Sequence, residues 1–149
     1  MQGNSNIRRM PGPQVSIIED FFGYTTGRVV LGAAIGATGL ANIAIQADSD
    51  FLWEKLTFFA DAGASLTEST RVIPLVTLMI TDSGSGRQMF NFPTAINTIC
   101  GTGGLPYILS KPKLFDANSL IQVTLVNLIA TAVNVEIMLS GRKRFMLAR

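Results

Sequence analysis

Side chains that do most enzyme chemistry are sparse in this sequence. It has no histidine, which removes the commonest general base and the commonest metal ligand, and Cys100 is its single cysteine. Zinc sites, Ser-His-Asp triads, Cys-His dyads and an intramolecular disulfide are thereby excluded. Gly101-Thr102-Gly103-Gly104 has the glycine amides that would cradle a phosphate, but it lacks the Gly-Lys-Ser/Thr ending, and Pro106 stands where a helix should start. It reads as a structural turn. Asp48 and Asp50 would offer carboxylates to calcium, or with Glu54 form a carboxylate pair; without the glycine and distal glutamate of a calcium loop they read as a solvated strand end. Asp82 and Arg87 flank a turn, where a surface ion pair contributes less than about 1 kcal/mol. Arg142-Lys143-Arg144, with Arg149, is the one basic cluster of note, suited to nucleic acid inside a particle or to an acidic patch on a neighbour. The plainer reading is a solvent-facing final strand, with Arg142 and Arg144 on one side, whose charges block edge-to-edge aggregation. No nucleophile, base and orienting group can be nominated together, so the chain is expected to be non-enzymatic, with no cofactor and no metal.

The elements that carry these groups read as strands. Ile121, Val123 and Leu125 alternate with Gln122 and Thr124, and Val133, Val135, Ile137 and Leu139 alternate with Asn134, Glu136, Met138 and Ser140, the period of half-buried strands. The short link from Leu128 to Ala132 suggests that these two pair as an antiparallel hairpin. Val76, Leu78 and Ile80 alternate in the same way before the turn at Asp82-Ser83-Gly84-Ser85-Gly86. Phe51 to Ala60 is less regular. Phe51, Trp53 and Phe59 fall on one face and Leu52, Leu56 and Phe58 on the other, so either a bulge shifts the register or both faces are covered. Short strands, long loops and little helix signal predict an all-β antiparallel β-sandwich, jelly-roll-like in its closure, with an extended N-terminal arm.

The chain's 149 residues suit one domain. Charged residues are only 15% of it against 48% apolar, well under the roughly 25% charged share of ordinary soluble domains, so something other than water must cover part of the surface. A membrane, a second copy or a large assembly would each serve. The uncharged run Val29 to Ala47 is long enough to span a bilayer, but it is mostly glycine and alanine and holds Asn42 and Gln46, so no membrane is expected. A net charge of +2 is too weak a field to imply sequence-specific nucleic acid as a partner.

Residues 1–24 read as an arm and residues 25–149 as the sandwich domain. Arg8 and Arg9 precede Pro11 and Pro13, which keep the backbone extended. Ile17, Ile18, Phe21, Phe22 and Tyr24 then crowd around Glu19 and Asp20. Ile17, Ile18, Phe21, Phe22 and Tyr24, with Arg8, Arg9, Phe51 and Trp53, form the expected protein interface to neighbouring subunits, and the chain is expected to self-associate as a dimer or trimer; the competing reading has the apolar patch complete its own core.

An ordered series of short motifs runs from about Asp82 to Phe145: Ser85-Gly86-Arg87, Asn91 with Pro93, Gly101-Thr102-Gly103, Pro106 with Leu109 and Pro112, Phe115, Asn118-Ser119, Ile121, Val123 and Asn127, then Val135, Ile137 and Gly141. In order and spacing this series resembles small virion structural proteins of tailed phages, of the jelly-roll capsid cement or decoration type. The Gly/Ala-rich run of the first half, and Ile99-Cys100 where the pattern has a phenylalanine, depart from it. The resemblance implies a cement or decoration subunit that bridges major capsid protein subunits, located on the capsid surface of the virion and assembled in the host cytoplasm, with no small-molecule substrate. A tail or neck component, or a carbohydrate- or receptor-binding jelly roll stacking Trp53, Tyr107 or Tyr24 on its ligand, are the alternatives.

Overall fold

The computed structural model describes Gly12, residues 15–63 and residues 70–148. In chain order its elements are β1 (Val15–Thr25), β2 (Val29–Leu31), β3 (Thr38–Ala44), β4 (Asp50–Asp61), β5 (Val76–Asp82), β6 (Arg87–Gln88), β7 (Thr94–Ala95), the single-turn α1 (Ile96–Ile99), β8 (Tyr107–Phe115), β9 (Leu120–Asn127) and β10 (Val133–Ala148). One sheet runs β1-β10-β4-β8, with β2 also on β10. The other runs β3-β9-β5-β6, with β7 also on β5. The strands in both pair antiparallel. Among the described residues the chain crosses between sheets at six of its nine strand-to-strand connections, the exceptions being β1 to β2 and β5 to β6 to β7, which is the double-sheet order of a jelly roll. The fold is an all-β sandwich.

Alternation decides which side chains fill it. Val76, Leu78 and Ile80 of β5 and Ile121, Val123 and Leu125 of β9 meet Val135, Ile137 and Leu139 of β10 across the sandwich, all of them buried. Each such side chain contributes roughly 1.5 to 3 kcal/mol when fully withdrawn from water.

The expected hairpin of β9 with β10 does not form. β9 lies between β3 and β5, whereas β10 lies between β1 and β4, so the two face each other across the core. Alternation specifies which face of a strand is buried but not which strand sits beside it. Asn127, fully buried, shapes the crossing: its Nδ2 donates to the carbonyls of Gly32 (3.0 Å) and Thr131 (2.8 Å), and its Oδ1 accepts from the Ile129 amide.

The two-sided pattern of β4 resolves into a bulge. Pairing with β10 passes from Ser140–Lys55 to Gly141–Trp53, leaving Glu54 as the extra residue. The inward set is therefore Phe51 and Trp53 before the bulge and Leu56 and Ala60 after it. Gly141 sits opposite. A Cβ there would lie 1.9 Å from the Leu52 carbonyl oxygen, so only glycine lets the two backbones approach this closely.

The uncharged run from residue 29 contributes β2 and β3 joined by a turn in which Gly36 takes φ 87°. No helix among the described residues is long and apolar enough to cross a membrane. The described part of the expected arm, from Val15 on, is β1, paired with β10 along its whole length from Val15–Ala148 to Thr25–Met138. Among the described residues, the first sheet thus begins at Val15.

Candidate interaction surface

The outer face of the first sheet carries a charge network across three adjacent strands. Register places Glu19 of β1 opposite Arg144 of β10, and Phe21 opposite Arg142. Arg142 lies between two carboxylates. Its Nη1 contacts Glu19 Oε2, while its Nε and Nη2 donate to Glu54 Oε1 at 3.1 and 2.6 Å. Arg144 Nε stands 3.0 Å from Glu19 Oε1. The bulge at Glu54 turns that carboxylate toward Arg142. Hydrogen bonding to Glu54 raises the Arg142 pKa further above its already high value, so this guanidinium stays charged at any ordinary pH. A single exposed pair of this kind contributes little, but here one carboxylate is shared by two arginines, which cancels the charge of Glu19 and holds β1 in a fixed register on β10.

Interleaved with these charges are apolar side chains facing water. Phe21 is 76% exposed, Met146 69% and Ile17 50%, with Ile17 and Met146 opposite each other on the outer face. Ile18 is also exposed, at the far end of β1 beside Phe145. Of the nine residues read from sequence as interface, these three of β1 (Ile17, Ile18 and Phe21) are at the surface. Met146 and the Glu19–Arg142–Glu54 network were missed, because only the pairing of β10 with both β1 and β4 brings them together.

The other sequence-derived interface residues lie elsewhere. Tyr24, Phe51 and Trp53 belong to the core, which corrects their reading as surface groups. Tyr24 packs edge-on against Phe51 with centroids 4.8 Å apart, and its hydroxyl accepts from the Gln46 amide at 3.1 Å. Trp53 stacks on Phe115, and its Nε1 donates to the Lys55 carbonyl at 2.7 Å. The bulge is the reason, since it lets β4 turn Phe51, Trp53 and Leu56 to one side. Phe22 is half-buried, its ring 4.8 Å from Tyr24. Arg8 and Arg9 fall outside the described residues.

The basic cluster is split by the pleat. Arg142 and Arg144 share the outer face as expected, but β10 is an interior strand between β1 and β4, not a solvent-facing final strand, so their role is to join strands. Lys143 points the other way and is almost fully buried. Its Nζ sits 4.4 Å from the centre of the Phe22 ring, donates to both Asp48 oxygens at 3.1 and 3.0 Å, and contacts Gln46 Oε1. That hydrogen bond from Lys143 holds the Asp48 carboxyl below the usual carboxylate range. Asp50 accepts from the Ala117 amide at 2.9 Å, so both aspartates are engaged within the fold. No group of three candidate metal ligands occurs among the described residues.

The remaining motifs are structural. Asp82 accepts from the amides of Gly84 and Ser85 and from Ser85 Oγ, closing its turn, and no ion pair joins it to Arg87 among the described residues. Gly101 presses against β4: its carbonyl accepts from the Phe58 amide at 2.9 Å, and a Cβ would meet the Leu105 carbonyl at 2.1 Å. Beside it Cys100 is buried, its thiol pushed up to about 12 by desolvation. An open groove of about 270 Å³ lies over Trp53, Leu56 and Tyr107, with Lys111 and Lys113 in its lining. Neither a family model, nor a curated protein, nor a solved structure matches the chain.

Proposed function

We propose that this chain is a virion structural protein of the capsid cement or decoration type, one that stabilises a phage head by bridging major capsid protein subunits. The observation that carries the reading is a jelly-roll sandwich whose exposed outer face sets Ile17, Phe21 and Met146 among ion pairs that tie three strands together. That is a surface built for contact. The motif series from Asp82 to Phe145, which resembles cement proteins of tailed phages, supplies the class of partner. The chemistry is burial of apolar area, with affinity multiplied by the repetition of one contact over a symmetric shell. Each apolar side chain contributes at most about 1.5 to 3 kcal/mol, less the cost of ordering the groups that meet. The working location is the capsid surface, and self-association as a dimer or trimer supplies the bridging geometry.

A sugar-binding reading loses two of its three aromatic platforms, because Trp53 and Tyr24 are buried and Tyr107 alone among the three is exposed. The decisive experiment is quantitative mass spectrometry of purified particles, counting this chain against the major capsid protein. A copy number comparable to the shell protein is the expected result. A handful of copies would transfer the chain to the tail or neck, and absence from particles would end the virion reading.

A further inference from the structure

We propose that β1 is a pairing edge, and that two copies of this chain join there across a two-fold axis centred on Phe21, merging their first sheets into one continuous antiparallel sheet. The inference rests on the self-association in the reading above, but not on the capsid as partner.

The backbone directs it. The Thr26 amide donates to the Ile137 carbonyl at 2.9 Å, which fixes the even-numbered residues of β1 as those whose amides and carbonyls face β10. The odd-numbered residues, Ile17, Glu19, Phe21, Gly23 and Thr25 among them, aim theirs at the opposite edge. Among the described residues, β1 pairs with β10 alone. Strands left on an edge ordinarily carry charges, lysine above all, or a proline or a bulge, or are kept very short. β1 is eleven residues long, pairs with β10 without a register shift, and contains neither proline nor lysine; its two charges are Asp20 and Glu19, the latter matched by Arg142 and Arg144.

Side chains choose the register. An antiparallel two-fold pair must set like faces together, so the axis passes through a residue, and each choice of residue makes a different set of contacts. Centring on Asp20 would place Asp20 against its own copy, and centring on Glu19 would do the same for Glu19; like charges directly opposite are repulsive. Centring on Ile18 or Phe22 shortens the overlap. With Phe21 on the axis, residues 17–25 of both copies pair, Glu19 meets Gly23, Asp20 meets Phe22, Ile17 meets Thr25, and no like charges face each other. That register forms about ten new backbone hydrogen bonds. It also sets the exposed Phe21 ring beside its copy on the outer face, an aromatic cross-strand pair, with Arg142 behind each. The carboxylate nearest the axis on that face, Glu19, is already matched by two arginines, so the two copies approach without net repulsion there.

The test uses the full-length chain. Sedimentation of the parent should give a dimer. Phe21→Pro removes the ring and an amide that faces the free edge while sparing the β10 ladder, a kind of site where a strand tolerates proline; it should sediment as a monomer with its cooperative melt retained. The second variant reads the register directly. Phe21→Cys places two thiols across the axis with Cα atoms about 5.5 Å apart, within disulfide reach, whereas in Ile17→Cys the two thiols lie roughly 27 Å apart. Buried Cys100 stays silent. Under mild oxidation, the Phe21→Cys chain should form a disulfide-linked dimer at least tenfold faster than Ile17→Cys. If Phe21→Pro fails to fold, the cysteine pair decides. A monomeric or trimeric parent, a folded Phe21→Pro chain that remains dimeric, or equal cross-linking at both positions would overturn the proposal. A monomeric parent that still binds particles at high copy number would overturn only the edge pairing and leave the cement reading standing.

Discussion

Replacing Gly141 by alanine tests the bulge that organises β4. In the native fold the added Cβ would stand 1.9 Å from the Leu52 carbonyl oxygen and 3.1 Å from the Glu54 amide nitrogen, both backbone atoms in the middle of the sheet. Ordinary contact needs about 3.4 Å, so β4 would have to retreat from β10 by about 1.5 Å, enough to break the hydrogen bonds flanking the bulge. Losing about two ladder bonds at about 1 kcal/mol each, and adding overpacking strain of about 1 to 3 kcal/mol, gives an expected destabilisation of about 3 to 5 kcal/mol. That is a large share of a domain's usual 5 to about 15 kcal/mol, and it corresponds to a melting temperature lower by about 10 °C. Urea unfolding followed by far-ultraviolet circular dichroism measures it. Gly103→Ala is the control, because a Cβ there meets nothing within 4 Å, and it should stay within about 0.5 kcal/mol of the parent. If Gly141→Ala is as stable as Gly103→Ala, the close approach of β4 to β10 is refuted, and with it the account of how Phe51, Trp53 and Leu56 reach one face.

Three further outcomes follow from side chains that the fold buries or hydrogen-bonds. Asp61 is fully buried beside Arg28, accepts from the Gly63 amide at 2.6 Å and contacts Thr70, so Asp61→Ala should cost about 3 kcal/mol in chemical denaturation; a loss under about 1 kcal/mol would show that this clip does not hold the end of β4. The Asp48 carboxyl is held down by the Lys143 hydrogen bond. Burial alone would raise the Asp82 carboxyl, but the hydrogen bonds from Ser85 and Gly84 outweigh it and hold that group down too. Because both are depressed in the folded state, their contribution is complete above about pH 4 and fades as pH falls below it; Asp48→Asn and Asp82→Asn should each flatten the acid limb of the melting-temperature profile, and an unchanged limb would contradict both assignments. Cys100, buried and with its thiol raised to about 12, should resist a thiol reagent at pH 8 in the native protein and react at once in guanidinium; rapid native labelling would mean that α1 opens far more readily than its packing implies.

What could be read from the sequence was whatever depends on the period of two. The faces of β5, β9 and β10 follow directly from their alternation, because a strand half-buried in a sandwich must turn every second side chain inward, and the absence of histidine set the limits on chemistry before any geometry was known. The ambiguity in β4 was also visible, as a pattern with no polar face that called for a bulge or for cover on both sides. Strand partners were decided only by the tertiary structure. The link from Leu128 to Ala132 is short enough for a hairpin, yet β9 and β10 cross the core instead, with buried Asn127 holding the crossing through the Gly32 and Thr131 carbonyls, because alternation marks the buried face of each strand but not its neighbour. The candidate surface was half legible for the same reason. Ile17 and Phe21 stood out as large apolar groups near the chain's start, but their company of Met146, Arg142 and Arg144 comes from residues more than a hundred positions away, joined by a register that no local pattern encodes. Lys143 shows the limit most plainly: within a run of three basic residues, one peptide's rotation of the pleat puts it in the core under Phe22 while its neighbours remain outside.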